Sequence, residues 1–161
     1  LEKNIPYLGI CFGFQLAAIA FGRKICNLEN ANSTEIIADT KNPIIDLLPE
    51  QKNETDMGGS LRLGANEIKI SKDSLAYKIY NSDKISKRHR HRYEFNTKYR
   101  DEFLKKGMIF SGESDNGKRM EVLEIPLHKF FLGVQFHPEF NSRPGFPEDV
   151  FKTFVTTASQ N

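Results

Sequence analysis

Apolar residues come in short runs divided by polar or glycine-marked turns, a pattern of buried strands mixed with helices. Pro6-Tyr7-Leu8-Gly9-Ile10 reads as a buried strand, and Phe14-Gln15-Leu16-Ala17-Ala18-Ile19-Ala20-Phe21 as a buried helix ending near Gly22. Residues 30–35 read as a polar loop, residues 44–48 as a proline-bounded apolar patch, and residues 50–56 as an exposed charged excursion. Residues 60–63 and 67–70 alternate as strands do, and Gly64-Ala65-Asn66 between them predicts a turn, hence a hairpin or meander. Residues 99–106 predict a short helix stopped by Gly107. Residues 108–112 and 120–125 predict antiparallel strands around the Asn116-Gly117 turn. A continuous apolar strand over residues 130–136 is halted by His137-Pro138, and an amphipathic helix runs roughly from 148 to 158. The expected class is α/β, a mixed and largely parallel central sheet flanked by helices, with some antiparallel additions.

Composition narrows the possibilities. With 161 residues, 39% hydrophobic and 27% charged, the chain resembles an ordinary globular unit and is read as one domain over residues 1–161. The formal charge of +2 supplies no overall field toward nucleic acid or anionic lipid, so any basic site must be local. Two cysteines, Cys11 and Cys26, are too few for a disulfide framework and favour a reducing, cytoplasmic setting. No apolar run is long enough to span a bilayer, and the start lacks the pattern of a signal peptide. The first residue is not methionine and lies just before a core strand, so an upstream piece, the N-terminal part of the domain, is expected.

Two turns carry candidate chemistry. Gly9-Ile10-Cys11-Phe12-Gly13 puts a thiol between glycines where a strand becomes a helix, a strained elbow that exposes the central side chain. Free N–H groups and the positive dipole end of the helix lower a thiol pKa and can hold an oxyanion, the Phe12 amide being the expected donor. The alternative is a small buried residue in a strand–helix connection, which is the reading preferred for Cys26. A thiol nucleophile needs a base. His137 projects from a strand end, with Pro138 keeping its backbone extended, and Glu139 can reach the far ring nitrogen and fix the tautomer. His128 reads as a surface residue.

Gly-Ile-Cys-Phe-Gly together with Phe-His-Pro-Glu resembles the signature pair of class I (triad) glutamine amidotransferases. Residues 30–35, 57–64, 88–94 and 135–144 resemble in order the amidotransferase domain of CTP synthases, and together they span almost the whole chain. The resemblance implies Cys11 as nucleophile, His137 as general base and acid, and Glu139 as orienter. It implies glutamine contacts at Phe12, Gly13, Phe14, Gln15, Glu35 and Arg92, with Glu35 suited to the α-ammonium and Arg92 to the amino-acid end of the substrate. It further implies L-glutamine as substrate and ammonia supplied to a synthetase domain of the same polypeptide, where ATP and Mg convert UTP to CTP. A homo-oligomer of the full-length protein is expected, with no cofactor in this domain, no metal, no membrane and no nucleic acid. Phe12 and Phe14 depart from the Leu and Met of many relatives, which alters packing more than mechanism. The second oxyanion donor of the family lies upstream of this sequence.

Four other readings stand beside these. A sister amidotransferase or another cysteine hydrolase shares the elbow. Lys87 to Arg92 could form a solvated or phosphate-binding basic loop on a nucleic-acid-binding module. His89 and His91 alternate like metal ligands but lack further partners at ligand spacing. Glu35 also fits a Ser/Thr-x-x-Glu-like helix start.

Overall fold

The computed structural model describes residues 3–49, 51 and 61–160. A six-stranded sheet forms the centre. It is built of β1 (Tyr7–Ile10), β4 (Arg62–Ile70), β5 (Lys84–His91), β7 (Ile109–Ser114), β8 (Arg119–Glu124) and β9 (Phe131–Val134), in the spatial order β1-β9-β8-β7-β4-β5. A three-stranded sheet holds β2 (Ala31–Ser33), β3 (Asn42–Asp46) and β6 (Glu94–Phe95). The helices are α1 (Phe12–Lys24), α2 (Leu75–Tyr80), α3 (Arg100–Lys105) and α4 (Asp149–Ser159). The mixed α/β class is the one expected from the sequence. Within the described strands the parallel pairings are β1 with β9 and β2 with β3, and the remaining ladders are antiparallel, so the parallel share is smaller than expected.

Two apolar clusters pack the sheet. One gathers Phe14, Phe21, Phe95, Phe103 and Phe110 beneath α1 and α3, and the other gathers Ile68, Val122, Leu132, Phe136 and Val150 toward α2 and α4. The second cluster fixes the strand that leads to His137, because Phe136 is fully buried in it.

Several local expectations change. The first helix continues past Gly22 to Lys24, since Gly22 faces Ile44 at close range and its missing side chain serves packing, not termination. Residues 31–33 are a buried strand, drawn in by pairing with Asn42, Pro43 and Ile45. The predicted turn at 64–66 does not form. Gly64 adopts φ +82°, yet β4 runs unbroken because its register with β5 passes through Gly64↔His89 and Ala65↔Arg88. The hairpin around Asn116-Gly117 is present, with Asp115, Asn116 and Gly117 all at positive φ. The helix before Gly107 and the final helix lie where predicted, the latter capped by the Glu148 carboxylate on the Val150 N–H. The charged excursion at 50–56 falls largely outside the described residues, as do residues 57–60 of the resemblance; Gln51 is described and buried. No helix among the described residues is long and apolar enough to cross a membrane.

Candidate active site

The parallel pairing of β1 with β9 brings the two chemistry-bearing turns together. Ile10 sits opposite Val134, so Cys11 and His137 leave adjacent strands at the same end. The Cys11 N–H extends the ladder by donating to the Val134 carbonyl at 2.8 Å. The free edge of β5 closes the site from the other side. Its Arg88 carbonyl accepts from the His137 N–H at 2.9 Å, and its Arg90 carbonyl lies 3.9 Å from Cys11 Sγ. One strand edge therefore steadies both residues.

The elbow is strained as predicted. Cys11 has φ 50° and ψ −100°, a conformation in which a Cβ is unfavourable, and it stands immediately before the first turn of α1. Gly9 cannot be replaced without disturbance: a Cβ there would meet the Gly13 carbonyl carbon and the Tyr7 hydroxyl at 2.7 Å. That hydroxyl donates to the Gly13 carbonyl at 2.7 Å and so braces the turn. The Cys11 thiol pKa is raised overall, against the lowering expected at a helix N-terminus, and burial is the largest cause. The Phe12 backbone N–H pulls it down, Glu139 pushes it up, the Gln135 amide lowers it and Glu35 raises it, in falling order of effect.

His137 and Glu139 meet as expected, Nδ1 to Oε1 at 2.6 Å. That contact occupies one ring nitrogen. The other, Nε2, is buried and has no hydrogen-bond partner among the described residues. No hydrogen bond joins it to the thiol. Cys26 is buried, and its thiol is pushed up to about 11, mainly by burial.

The residues implied as glutamine contacts divide. The Phe12 side chain is exposed beside the elbow and Gly13 is half-buried. Phe14 is fully buried in the core, so only its backbone can face a ligand. Gln15 is buried and already engaged, its Nε2 donating to the Tyr93 carbonyl at 3.0 Å and lying 3.5 Å from Gln135 Oε1. Glu35 is exposed yet close enough to act on the Cys11 thiol, and its N–H donates to Ser33 Oγ at 3.1 Å, so it begins no helix. Arg92 is half-buried just past the end of β5, and its carbonyl accepts from Gln51 Nε2 at 3.0 Å.

The basic run is not a solvated loop. It is the end of β5, whose alternation leaves Arg88 and Arg90 exposed and turns His89 and His91 inward, 2% and 6% exposed. His91 Nδ1 lies 3.2 Å from the Tyr93 carbonyl, which can only accept, so Nδ1 carries the proton. His91 Nε2 is then the acceptor for His89 Nδ1–H at 3.0 Å. Burial holds both rings neutral, lowering His89 to about 2 and His91 to about 3, with the Arg62 charge as the next cause for each. Beneath them lies an ionic cluster. Arg62 donates to Glu121 at 2.5 Å and to Ser114 at 3.1 Å, and Arg119 donates to Glu94 at 2.5 Å and to Asp115. Glu94 and Glu121 are fully buried. Burial pushes Glu94 up to about 7, with Glu121 the next contributor. Among the described residues no three of His, Cys, Asp and Glu gather as a metal-binding set.

Gln135 is the site residue that sequence reasoning missed. It is fully buried, and its Nε2 donates to Cys11 Sγ at 3.9 Å. A signal existed, because it is the lone polar side chain within the apolar run 130–136.

Residues 1–157 match the family of class-I glutamine amidotransferases, and the chain belongs to that family. Within it, the chain is similar to CTP synthases. It is 52% identical over 157 residues to the CTP synthase of Archaeoglobus fulgidus, covering 98% of this chain and 30% of that protein. It is 49% identical over 159 residues to that of Staphylococcus carnosus, covering 99% and 30%. A solved glutaminase domain of Trypanosoma brucei CTPS with bound acivicin superposes with a TM-score of 0.93 at 35% identity, over 99% of this chain and 62% of that one. A Thermoplasma acidophilum protein described as part of a GMP synthase superposes with a TM-score of 0.60 at 16% identity over 99% of this chain and 60% of its own, a likeness of fold. The chain thus spans about 30% of the length of the CTP synthases it matches.

Proposed function

We propose that this chain hydrolyses the side-chain amide of L-glutamine through a thioester on Cys11, and that the ammonia serves the ATP-dependent amination of UTP to CTP in a longer, cytoplasmic protein. The observation that carries this reading is the parallel pairing of β1 with β9, from whose shared end the strained Cys11 elbow and the segment bearing the His137–Glu139 pair both leave. The Cys11 thiolate attacks the amide carbon. The resulting oxyanion is held by the Phe12 N–H at the start of α1, and His137 hands a proton to the departing ammonia. His137 then takes a proton from water, which opens the thioester and releases glutamate. Glu139 keeps the imidazole in the tautomer that leaves Nε2 for these transfers.

Substrate recognition falls to the rim. Glu35 pairs with the α-ammonium group, Arg92 with the α-carboxylate, and the backbone of residues 12–14 with the amide end. Gln15 contributes from beneath the elbow. ATP, Mg and UTP belong to parts of the relatives that this chain does not span.

The test is mass spectrometry after exposure to an electrophilic glutamine analogue. A single adduct on Cys11, suppressed by excess glutamine, is the expected result, together with a fall of at least about 10³-fold in glutamine hydrolysis for Cys11→Ala. Labelling at Cys26 instead, or undiminished hydrolysis in Cys11→Ala, overturns the assignment.

A further inference from the structure

Beneath the nucleophile lies a pair of buried amides whose orientation is decided by their surroundings. The Tyr93 carbonyl can only accept, so Gln15 must present its NH2 group to it, at 3.0 Å. The same NH2 group lies 3.5 Å from Gln135, which must therefore answer with its carbonyl oxygen. The NH2 group of Gln135 is left facing Cys11 Sγ at 3.9 Å. Turning either amide over would set donor against donor or acceptor against acceptor in a buried setting, leaving polar groups unsatisfied. The Gln135 backbone is fixed as well, its N–H donating to the Glu121 carbonyl at 2.9 Å.

We propose that Gln135 is a further catalytic residue, whose side-chain N–H donates to the Cys11 sulfur and stabilises the thiolate, with Gln15 as the positioning residue that orients it. The proposal rests on the reading of Cys11 as nucleophile. The Phe12 N–H is the other donor that acts on the sulfur; the Arg90 carbonyl beside it can only accept, and the acidic side chains that act on it, Glu139 and Glu35, both raise the thiol pKa. A neutral donor fixed in the floor favours the thiolate with no proton of its own to lose near neutral pH. Because Gln135 precedes the base by two residues on the same strand end, one backbone segment delivers both the thiolate donor and the imidazole.

The experiment follows the rate of alkylation of Cys11 by iodoacetamide against pH, read by peptide mass spectrometry with Cys26 as internal reference. Gln135→Met keeps the length and removes the donor. Its apparent thiol pKa is expected to rise by about one unit, which is about a tenfold lower alkylation rate at pH 7. Turnover of glutamine should fall in kcat more than it changes KM. Gln15→Met leaves the donor but frees it to rotate, so a smaller shift in the same direction is expected. Gln135→Asn retains a buried amide and withdraws it by one methylene, and it carries the test should the methionine variant fail to fold. Alkylation profiles that overlay the wild type in the folded variants overturn the proposal. Failure of the underlying reading looks different, since hydrolysis would then survive Cys11→Ala whatever Gln135 does.

Discussion

Two buried polar regions flank the same strand ends, and they are built on opposite plans. Under Cys11 the floor is neutral: the amides of Gln15 and Gln135 and the carbonyls of Arg90 and Tyr93. One layer away, behind β5, Arg62, Arg119, Glu94 and Glu121 form a charged cluster roofed by two neutral histidines. The difference separates two tasks. Full charges in a low-dielectric interior hold structure in place when paired, but beside a titrating thiol they would set its protonation coarsely. Fixed dipoles adjust it in smaller steps. The cluster instead supports the strand whose Arg88 and Arg90 carbonyls face His137 and Cys11.

If that division is right, breaking the charged region should cost mainly stability. Arg62→Met removes the partner of Glu121 and leaves two fully buried carboxylates close to one remaining guanidinium. A loss of about 3–5 kcal/mol is expected in urea unfolding. The loss should be larger at pH 8 than at pH 6, because protonation of Glu94, already pushed up to about 7, relieves part of the imbalance. A variant as stable as the wild type at pH 8 would show that the cluster is not what holds this face.

Much of this arrangement is legible from residue order, and the misses share a cause. The elbow, the His137–Glu139 pair and the strands beneath them follow from local features: a thiol between glycines, a proline after a histidine, an unbroken apolar run. Residues 31–33 read as a loop because their polarity hides a strand that only its partner at 42–45 makes worthwhile. Gly64 looks like a turn for the same reason, as the eight-residue register with β5 lies far off in sequence. The inward histidines and the ionic cluster join residues from 62 to 121, and no local pattern announces that such charges compensate one another. Gln135 alone stands visible, a polar residue where the pattern asks for an apolar one.

The histidines sharpen the comparison through pH. Unfolding restores them to an ordinary value of 6.5, whereas in the folded chain they stay neutral until about 3 and about 2. Lowered pKa values mean that their contribution is present above 6.5 and is lost as pH falls toward 3. Glu94 works the other way, raised from 4.5 to about 7, so its contribution is present below 4.5 and lost as pH rises through 7. Between pH 6.5 and 4.5 the two histidines outweigh the one carboxyl, so stability should fall as pH drops through that window. Urea midpoints across the range check this, and His91→Gln should flatten the slope. A flat profile in the wild type would mean that the rings are not held neutral in the fold.

The neutral region offers a finer test, since its strain is concentrated in one residue. Cys11 at φ 50° and ψ −100° lies where any Cβ is crowded, at a cost of about 1–3 kcal/mol. Glycine accepts that backbone freely but gives the unfolded chain more freedom, which returns about 0.5–1 kcal/mol. Comparing Cys11→Gly with Cys11→Ala cancels the loss of sulfur common to both. At ordinary positions alanine is the more stable of the two; here glycine should be more stable by about 1 kcal/mol, with both variants inactive toward glutamine. Urea unfolding of the pair decides it, and an alanine variant at least as stable as the glycine one would mean that the elbow stores no strain. Confirmation would make Cys11 a position where the fold gives up stability to hold a sulfur on a strained turn.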